Sequence, residues 1–214
     1  MKTTLNAIRA KRPCVESWKK LLRHLGKTKA DNEPLSILTI LDVLPLGDAL
    51  LCLRGVKGYD RTMRLYAVWC ARRVQHLMRD SRSIAALDVA ERFANGQATD
   101  AEFAAASISA RDAAIAAWGV ARADGDDAYS VDYSVEYYAA RAARDVAWDI
   151  TRDDWKGASI AARYAADVAW GVARADAKTR WPDPVVVANY ASRAWKAERA
   201  AQSAELRRIC EVVA

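Results

Sequence analysis

Two clusters of aromatic and arginine side chains give this 214-residue sequence its clearest potential for binding chemistry. Within each cluster most residues recur three or four positions apart, which places them on one face of a helix. The candidate ligand-binding residues are Trp69, Arg72, Arg73 and His76 in the first cluster and Tyr133, Tyr137, Arg141, Arg144 and Trp148 in the second. Aromatic rings offer stacking surfaces, and the planar guanidinium group of arginine suits phosphate. Such a combination binds nucleotides or forms the centre of a protein–protein interface.

The tryptophans also have a purely structural interpretation. They mark an alanine-rich phrase that occupies residues 111–124, returns at 167–176 and has a weaker copy at 144–152. A large ring among alanines can act as a packing wedge between closely spaced helices. In that case the tryptophans of these phrases are buried, and replacing one with alanine costs about 3–5 kcal/mol. Packing is the commoner role of such residues, and the sequence leaves both interpretations open.

Residues suited to catalysis or metal binding are sparse. His24 and His76 are the only histidines, and neither has a metal-ligand partner four residues later, so a hydrogen-bonded or exposed side chain is expected for each. The segment 55–58 is too short to be a glycine-rich phosphate loop. The four cysteines form no Cys-x-x-Cys pair, which predicts buried, reduced thiols and neither a zinc site nor a disulfide framework. The sequence therefore predicts a protein that is not an enzyme, with no catalytic residue, no metal and no cofactor.

The net charge of +6 comes from the N-terminal arm. Residues 1–30 hold nine lysines and arginines against one glutamate, which gives +8, and the rest of the chain sums to −2. Such an arm can contact nucleic acid, although a solvated, partly disordered start is the commoner outcome. The longest apolar run, residues 37–46, is far shorter than the about 20 residues that span a membrane. Without a signal peptide either, the expected location is the cytoplasm, with no membrane contact.

The elements that must position the two clusters are helices. From residue 101 onward, 34 of 114 residues are alanine, the strongest helix former. The sequence predicts an all-α fold, a single compact bundle of about eight helices. Residues 1–98 would form a basic arm plus a helical half of mixed sequence, and residues 99–214 an alanine-rich, tryptophan-marked half packed on it.

Caps and apolar stripes give the individual helices, and no strand is expected. The predicted ranges are 15–24, 34–44 with a cap at Asp31 or Asn32, 46–53, 59–79, 81–93 capped by Ser81, 99–123, 131–151, 158–176 after a break at Gly157, and 184–212. The sharpest local signal is a capping box, in which Thr99 and Glu102 exchange hydrogen bonds at the start of a helix.

Two stretches resemble a widespread group of alanine-rich helical proteins of bacterial and phage genomes that are labelled immunity proteins. They are RLYAVWCAR at residues 64–72 and ALDVAERFANGQAT at residues 86–99. As in that family, the chain continues in Ala/Trp/Arg/Asp repeats and ends in a helix like that of residues 204–209. The resemblance covers residues 35–214. It implies an all-α fold and a role in conflict between bacteria, phages or toxins, and it brings no catalytic residues.

Three functions follow as hypotheses. The first is a non-enzymatic neutralising protein, for immunity or phage counter-defence, that binds a protein toxin, a defence effector or its signal. The second is a sequestering protein that holds a small nucleotide signal in a pocket lined by arginine, tyrosine and tryptophan. The third, with less support, is a nucleic-acid binder that uses the basic arm. Co-purification with a protein, thermal stabilisation by nucleotides and a steep salt dependence would distinguish them.

Overall fold

The computed structural model describes residues 1–54, 56–123, 131–149 and 156–212, and the side chains of all of these except 120–123, 131–134, 148–149 and 156–157. Within these ranges the chain forms ten α-helices, one 3-10 helix and one pair of two-residue strands. The predicted all-α bundle is confirmed. The described ranges contain ten α-helices, whereas about eight were expected. One of the additional helices lies in the N-terminal arm.

The elements follow one another with short connections. In chain order they are β1 (Lys2–Thr3), α1 (Leu5–Ala10), α2 (Val15–His24), β2 (Leu35–Ser36), α3 (Ile37–Val43), α4 (Leu46–Leu53), α5 (Asp60–Arg72), the 3-10 helix (Gln75–Leu77), α6 (Ser81–Ala94), α7 (Asp100–Ala123), α8 (Val131–Asp149), α9 (Lys156–Arg180) and α10 (Pro184–Val212). The predicted bounds of α2, α4, α7 and α10 are confirmed. The predicted last residues of α8, at 150 and 151, lie outside the described residues.

The N-terminal segment is part of the core, so the expectation of a solvated, partly disordered arm is wrong. Met1, Leu5 and Ile8 are each at most 4% exposed. In addition, β1 pairs antiparallel with β2, which also corrects the expectation that the chain has no strand. The three apolar residues recur at intervals of four and three, the spacing of a helix face, between basic residues that point to solvent.

The third helix begins three residues after its predicted start at Pro34, because the intervening residues pair as β2 or cap the helix. The hydroxyl of Ser36 accepts a hydrogen bond from the backbone N–H of Leu38. Ser36 is therefore the cap that was assigned to Asp31 or Asn32. A serine directly before an apolar run is a strong capping signal, and here it outweighs the proline.

The fifth helix ends at Arg72, seven residues before its predicted end at Arg79. The chain then turns into the 3-10 helix, and this turn buries Val74 and Met78. The apolar spacing of this segment is compatible with a continued helix, but the buried residues are delivered by a turn. His76 consequently does not share a helix face with Trp69.

Two helix starts show how capping operates in this chain. At α7 the hydroxyl of Thr99 accepts from the N–H of Glu102 at 3.2 Å, and the carboxylate of Glu102 accepts from the N–H of Thr99 at 2.8 Å. The predicted capping box is confirmed. At α6 the cap is displaced by one residue, because Asp80 and not Ser81 accepts from the N–H of Arg82, at 2.9 Å.

The alanine-rich half consists of α7 to α10, whose small side chains allow close packing. Ala143 on α8 and Ala161 on α9 are fully buried where these helices meet. The helix α9 runs unbroken from Lys156 to Arg180, so the predicted break at Gly157 and the predicted end at Asp176 are wrong. A buried core cluster of the described residues contains members from both halves of the chain.

The repeat tryptophans do not act as buried wedges where they are described. Trp118 is 42% exposed and Trp195 is 37% exposed, while Trp170 is half-buried. The side chain of Trp148 lies outside the described residues. Because alanines fill the space between the helices themselves, the rings lie at the helix surfaces, where they line clefts.

Candidate functional site

A groove with a volume of about 410 Å³ lies between α5 and α10 and is bordered by α6. Its floor is apolar and includes one tyrosine and one tryptophan. The floor residues are Leu65, Tyr66, Val68, Trp69, Ile209 and Val212. We call this cleft the α5–α10 groove. It contains Trp69 and Arg72 of the first predicted cluster.

The arginines on the rim of the α5–α10 groove are already occupied. Arg72 donates to Glu91 at 3.1 Å and to Asp88 at 2.9 Å. Arg208 donates to Glu205 at 2.7 and 2.9 Å, and these hydrogen bonds hold the pKa of the Glu205 carboxyl below its ordinary value. Arg61, also in the lining, donates to Oδ1 of Asn95 at 2.7 Å. The rim thus combines ion pairs with one arginine that is bonded to an amide, around an apolar floor.

Arg73 lies beside this groove but does not line it. Its guanidinium stacks over the ring of Trp69 at 5.0 Å and donates to both carboxylate oxygens of Glu198, at 2.6 and 2.7 Å. The hydrogen bonds to Glu198 raise the pKa of Arg73. Glu198 also accepts from the side-chain amide of Gln202, which is fully buried. Arg73 therefore joins α5 to α10, a role that sequence reasoning did not find.

The same buried network contains Tyr66, whose hydroxyl donates to the backbone carbonyl of Gln202 at 3.2 Å. The amide of Gln202 in turn donates to the carbonyl of Ala162 on α9 at 2.8 Å. Three helices are held together by these bonds. His76, the remaining member of the first cluster, is exposed on the 3-10 helix and does not line the α5–α10 groove.

The second predicted cluster is partly assembled on α8. Arg141 donates to the hydroxyl of Tyr137 at 2.9 Å and stacks over the ring of Tyr164 at 4.8 Å. Tyr137 and Arg144 line a small cavity of about 140 Å³ together with Trp118 from α7. The side chains of Tyr133 and Trp148, which belong to the same predicted cluster, lie outside the described residues.

A buried carboxylate adjoins this cavity. Arg144 donates to Oδ1 of Asp145 at 2.7 Å, and burial raises the pKa of the Asp145 carboxyl despite that contact. The cavity is well below the roughly 300–1,000 Å³ of typical ligand pockets. The second cluster is therefore better suited to holding α7, α8 and α9 together than to enclosing a nucleotide.

A further pocket, of about 340 Å³, lies between α9 and α10. Its lining residues are Asp167, Trp170, Ser192, Trp195 and Lys196, and we call it the indole pocket. Each indole carries a guanidinium over its ring, Arg174 at 4.9 Å for Trp170 and Arg199 at 5.7 Å for Trp195. None of these residues belongs to either predicted cluster.

One sequence signal could have found the indole pocket. Trp69, Tyr137, Trp170 and Trp195 are each followed four residues later by an arginine, and in all four pairs the guanidinium lies within 5.7 Å of the ring centre. A spacing of four places two side chains on one helix face. Trp-x-x-x-Arg is thus a recurrent unit of this chain.

Three of the four cysteines are buried. Burial raises the pKa of Cys52 and of Cys70 to about 12, which keeps both thiols protonated at neutral pH. Cys210 is also buried, whereas Cys14 is exposed, so the prediction of buried thiols is wrong for Cys14.

No group of three or more potential metal ligands occurs in the described part of the chain. None of its helices has the length and apolar character needed to cross a membrane.

The basic residues of the N-terminal arm remain at the surface although its apolar residues are buried. Arg9, Lys11 and Arg12 at the end of α1 are exposed, as are Lys20 and Arg23 on α2. This surface is the one on which the hypothesis of nucleic-acid binding depends.

The structure is an all-α bundle with two surface clefts, the α5–α10 groove and the indole pocket, and a buried polar network that joins α5, α9 and α10. Comparisons of the chain with models of protein families, with curated proteins and with solved structures find no match. The geometry of the two clefts therefore carries the functional argument.

Proposed function

We propose that this protein is a non-enzymatic neutralising protein of a bacterial or phage conflict system, and that it binds a protein partner through the α5–α10 groove. The observation that carries the proposal is an apolar floor surrounded by ion pairs. An apolar centre with a polar rim is the usual anatomy of a protein–protein interface. The resemblance of residues 64–72 and 86–99 to immunity proteins supports the biological setting.

The charges of the groove favour a protein partner over a nucleotide at this site. A phosphate group would meet Glu91 and Glu205 on the rim, and each carboxylate already neutralises an arginine. Apolar side chains of a partner need no such cation, because their burial alone is favourable at about 25 cal/mol per Å². Tryptophan is also enriched at the energetic centre of interfaces, which suits Trp69.

Val212 and Val185 allow a test that spares the core. Val212 lines the groove and is 75% exposed, and Val185 near the start of the same helix is 65% exposed and outside the groove. A charge at position 212 should disrupt an apolar contact, whereas a charge at position 185 should not. Val185→Asp is therefore the matched control for Val212→Asp.

The assay is protection of bacteria. Strains that each carry one inducible toxin or one phage-defence system would express the wild-type chain or a variant, and survival or phage plating would be counted. We expect protection or restored plating in at least one strain, its loss with Val212→Asp and its retention with Val185→Asp. For the partner identified in this way, Val212→Asp should weaken the Kd by at least about 30-fold, the loss expected at an interface centre. Equal behaviour of the two variants would exclude the groove, and no effect in any strain would exclude neutralisation in the systems sampled.

A further inference from the structure

The indole pocket differs from the groove in how its cations are neutralised. Arg174 and Arg199 stack on indole rings, and Lys196 is exposed at the edge of the pocket. Among the described residues no carboxylate forms an ion pair with any of these three. Of these three, Lys196 lines the pocket, whereas Arg174 and Arg199 lie outside its lining and Arg199 donates to Oε1 of Gln202 at 3.2 Å. The charge of Lys196 therefore remains available to an anion in the pocket.

The walls of the pocket suit a flat ring. Trp170 from α9 and Trp195 from α10 line the same space, and the aromatic contacts of the described residues include none between these two indoles. A base stacked on an aromatic side chain gains about 1–3 kcal/mol in known complexes. Cation–π contacts from arginine add to such stacking.

Asp167 offers a hydrogen-bond acceptor inside the pocket. Its Oδ1 accepts from Nε1 of Trp195 at 3.3 Å, and its Oδ2 lies 3.5 Å from Nε of Arg163. Two carboxylate oxygens have about four lone-pair sites, so further N–H donors can be accommodated. The amino and imino groups of a nucleobase are donors of this kind.

We propose that the indole pocket binds a free nucleoside phosphate, with its base against Trp170 and Trp195 and its phosphate near Lys196. The ligand class follows from the combination of ring-stacking walls, an acceptor for base N–H groups and, in Lys196, a lining cation without a carboxylate partner among the described residues. A volume of about 340 Å³ falls within the range of small-molecule pockets. This inference is independent of the proposed function, because the two sites share no lining residue.

A free nucleotide is favoured over a nucleic-acid strand by the placement of the other aromatic rings. A strand needs successive stacking platforms along one track. Trp181 and Tyr190 contact each other at 5.4 Å, but Tyr190 precedes Trp195 by five residues, about 140° around α10 at 3.6 residues per turn. The next aromatic platform therefore points away from the indole pocket.

Isothermal titration calorimetry tests the proposal directly. The four ribonucleoside 5′-monophosphates would be titrated into the full chain, with the four nucleosides, inorganic phosphate and a single-stranded oligonucleotide as comparisons. We expect at least one monophosphate to bind more tightly than its nucleoside and than phosphate alone. Binding of none of the monophosphates would overturn the proposal, as would tight binding of the oligonucleotide alone, which would indicate a strand-binding surface.

Two matched pairs of variants locate the site. Trp195→Ala removes one wall, and Trp181→Ala is its control because both rings are 37% exposed. Lys196→Gln removes the exposed cation, and Lys178→Gln on α9 is its control.

We expect Trp195→Ala to weaken the Kd by about 5- to 100-fold, the value of one lost stack. Lys196→Gln should weaken binding of the monophosphate but not of its nucleoside. Wild-type affinity in both Trp195→Ala and Lys196→Gln would overturn the assignment.

Discussion

The α5–α10 groove and the indole pocket share one helix and the same kinds of residues, yet their cations are neutralised differently. In the groove, Arg72 and Arg208 each donate to carboxylates, and Arg61 donates to the amide oxygen of Asn95. In the indole pocket, the lining cation Lys196 has no described carboxylate partner, and Arg174 and Arg199 beside the pocket lie over its indole rings. The comparison indicates what decides the ligand of a cleft. The groups that neutralise its basic side chains matter more than how many basic side chains it has.

The largest expected effect is a difference in stability between two variants, one that removes an aromatic ring from the floor of the groove and one that removes a ring from the wall of the indole pocket. Tyr66→Ala should lower the free energy of unfolding by about 3–5 kcal/mol, because a fully buried aromatic ring is lost from the floor. Trp195→Ala should cost much less, since its ring is 37% exposed. Urea denaturation of both variants measures the difference. Equal losses would mean that the pocket wall is part of the core and would remove the distinction.

Tyr66→Phe is the control for that experiment. It keeps the ring and removes only the hydroxyl, which donates to the carbonyl of Gln202 and is hydrogen-bonded to Cys70, a change worth about 1 kcal/mol.

A smaller effect tests the network that lies between the two clefts. Glu198→Ala should cost about 1–3 kcal/mol, because Arg73 and the buried Gln202 lose a shared acceptor. The cost is limited because the side chain of Arg73 is 37% exposed and stays partly hydrated. Glu205→Ala removes the equivalent partner of Arg208 on the groove rim, where exposed pairs contribute about 0–1 kcal/mol. A larger loss with Glu205→Ala than with Glu198→Ala would contradict this ranking.

The smallest expected effect is a pH dependence of opposite sign at the two clefts. Burial raises the pKa of the Asp167 carboxyl above its ordinary value of 3.8, so the folded chain holds that proton more tightly than the unfolded chain does. The free energy of unfolding therefore falls as the pH rises from about 3.8 through the raised pKa. Hydrogen bonds from Arg208 lower the pKa of Glu205 from 4.5, so its contribution is present above that pH and is lost as the pH falls through the lowered pKa.

Denaturation of Asp167→Asn and Glu205→Gln across this acidic range measures the two contributions. Relative to wild type, Asp167→Asn should gain stability as the pH rises, and Glu205→Gln should lose it. Difference profiles of the same sign would refute the contrast between the two carboxylates.

Local sequence signals predicted the elements whose ends are set by neighbouring residues. The capping box of Thr99 and Glu102 fixed the start of α7, and the prolines around Asp183 fixed the start of α10. The N-terminal arm was misjudged because its apolar residues are few and are followed by a run of basic ones. Its burial also depends on pairing with Leu35, more than thirty positions away.

The candidate site was predictable only in part. The groove contains Trp69 and Arg72, both of which the sequence singled out. The role of Arg73 depends on Glu198, 125 positions further along, and spacing within one helix gives no sign of such a partner. The indole pocket likewise forms from two helices that meet only in the folded chain, although the Trp-x-x-x-Arg unit marks both of its walls.

The most direct test of the contrast between the clefts is a titration followed by the indole N–H signals of tryptophan in a ¹H–¹⁵N NMR spectrum. Single-tryptophan substitutions would assign the signals of Trp69, Trp170 and Trp195. On addition of the monophosphate that binds most tightly, we expect the signals of Trp170 and Trp195 to shift and the signal of Trp69 to stay in place. A shift of the Trp69 signal, with those of Trp170 and Trp195 unchanged, would contradict the account.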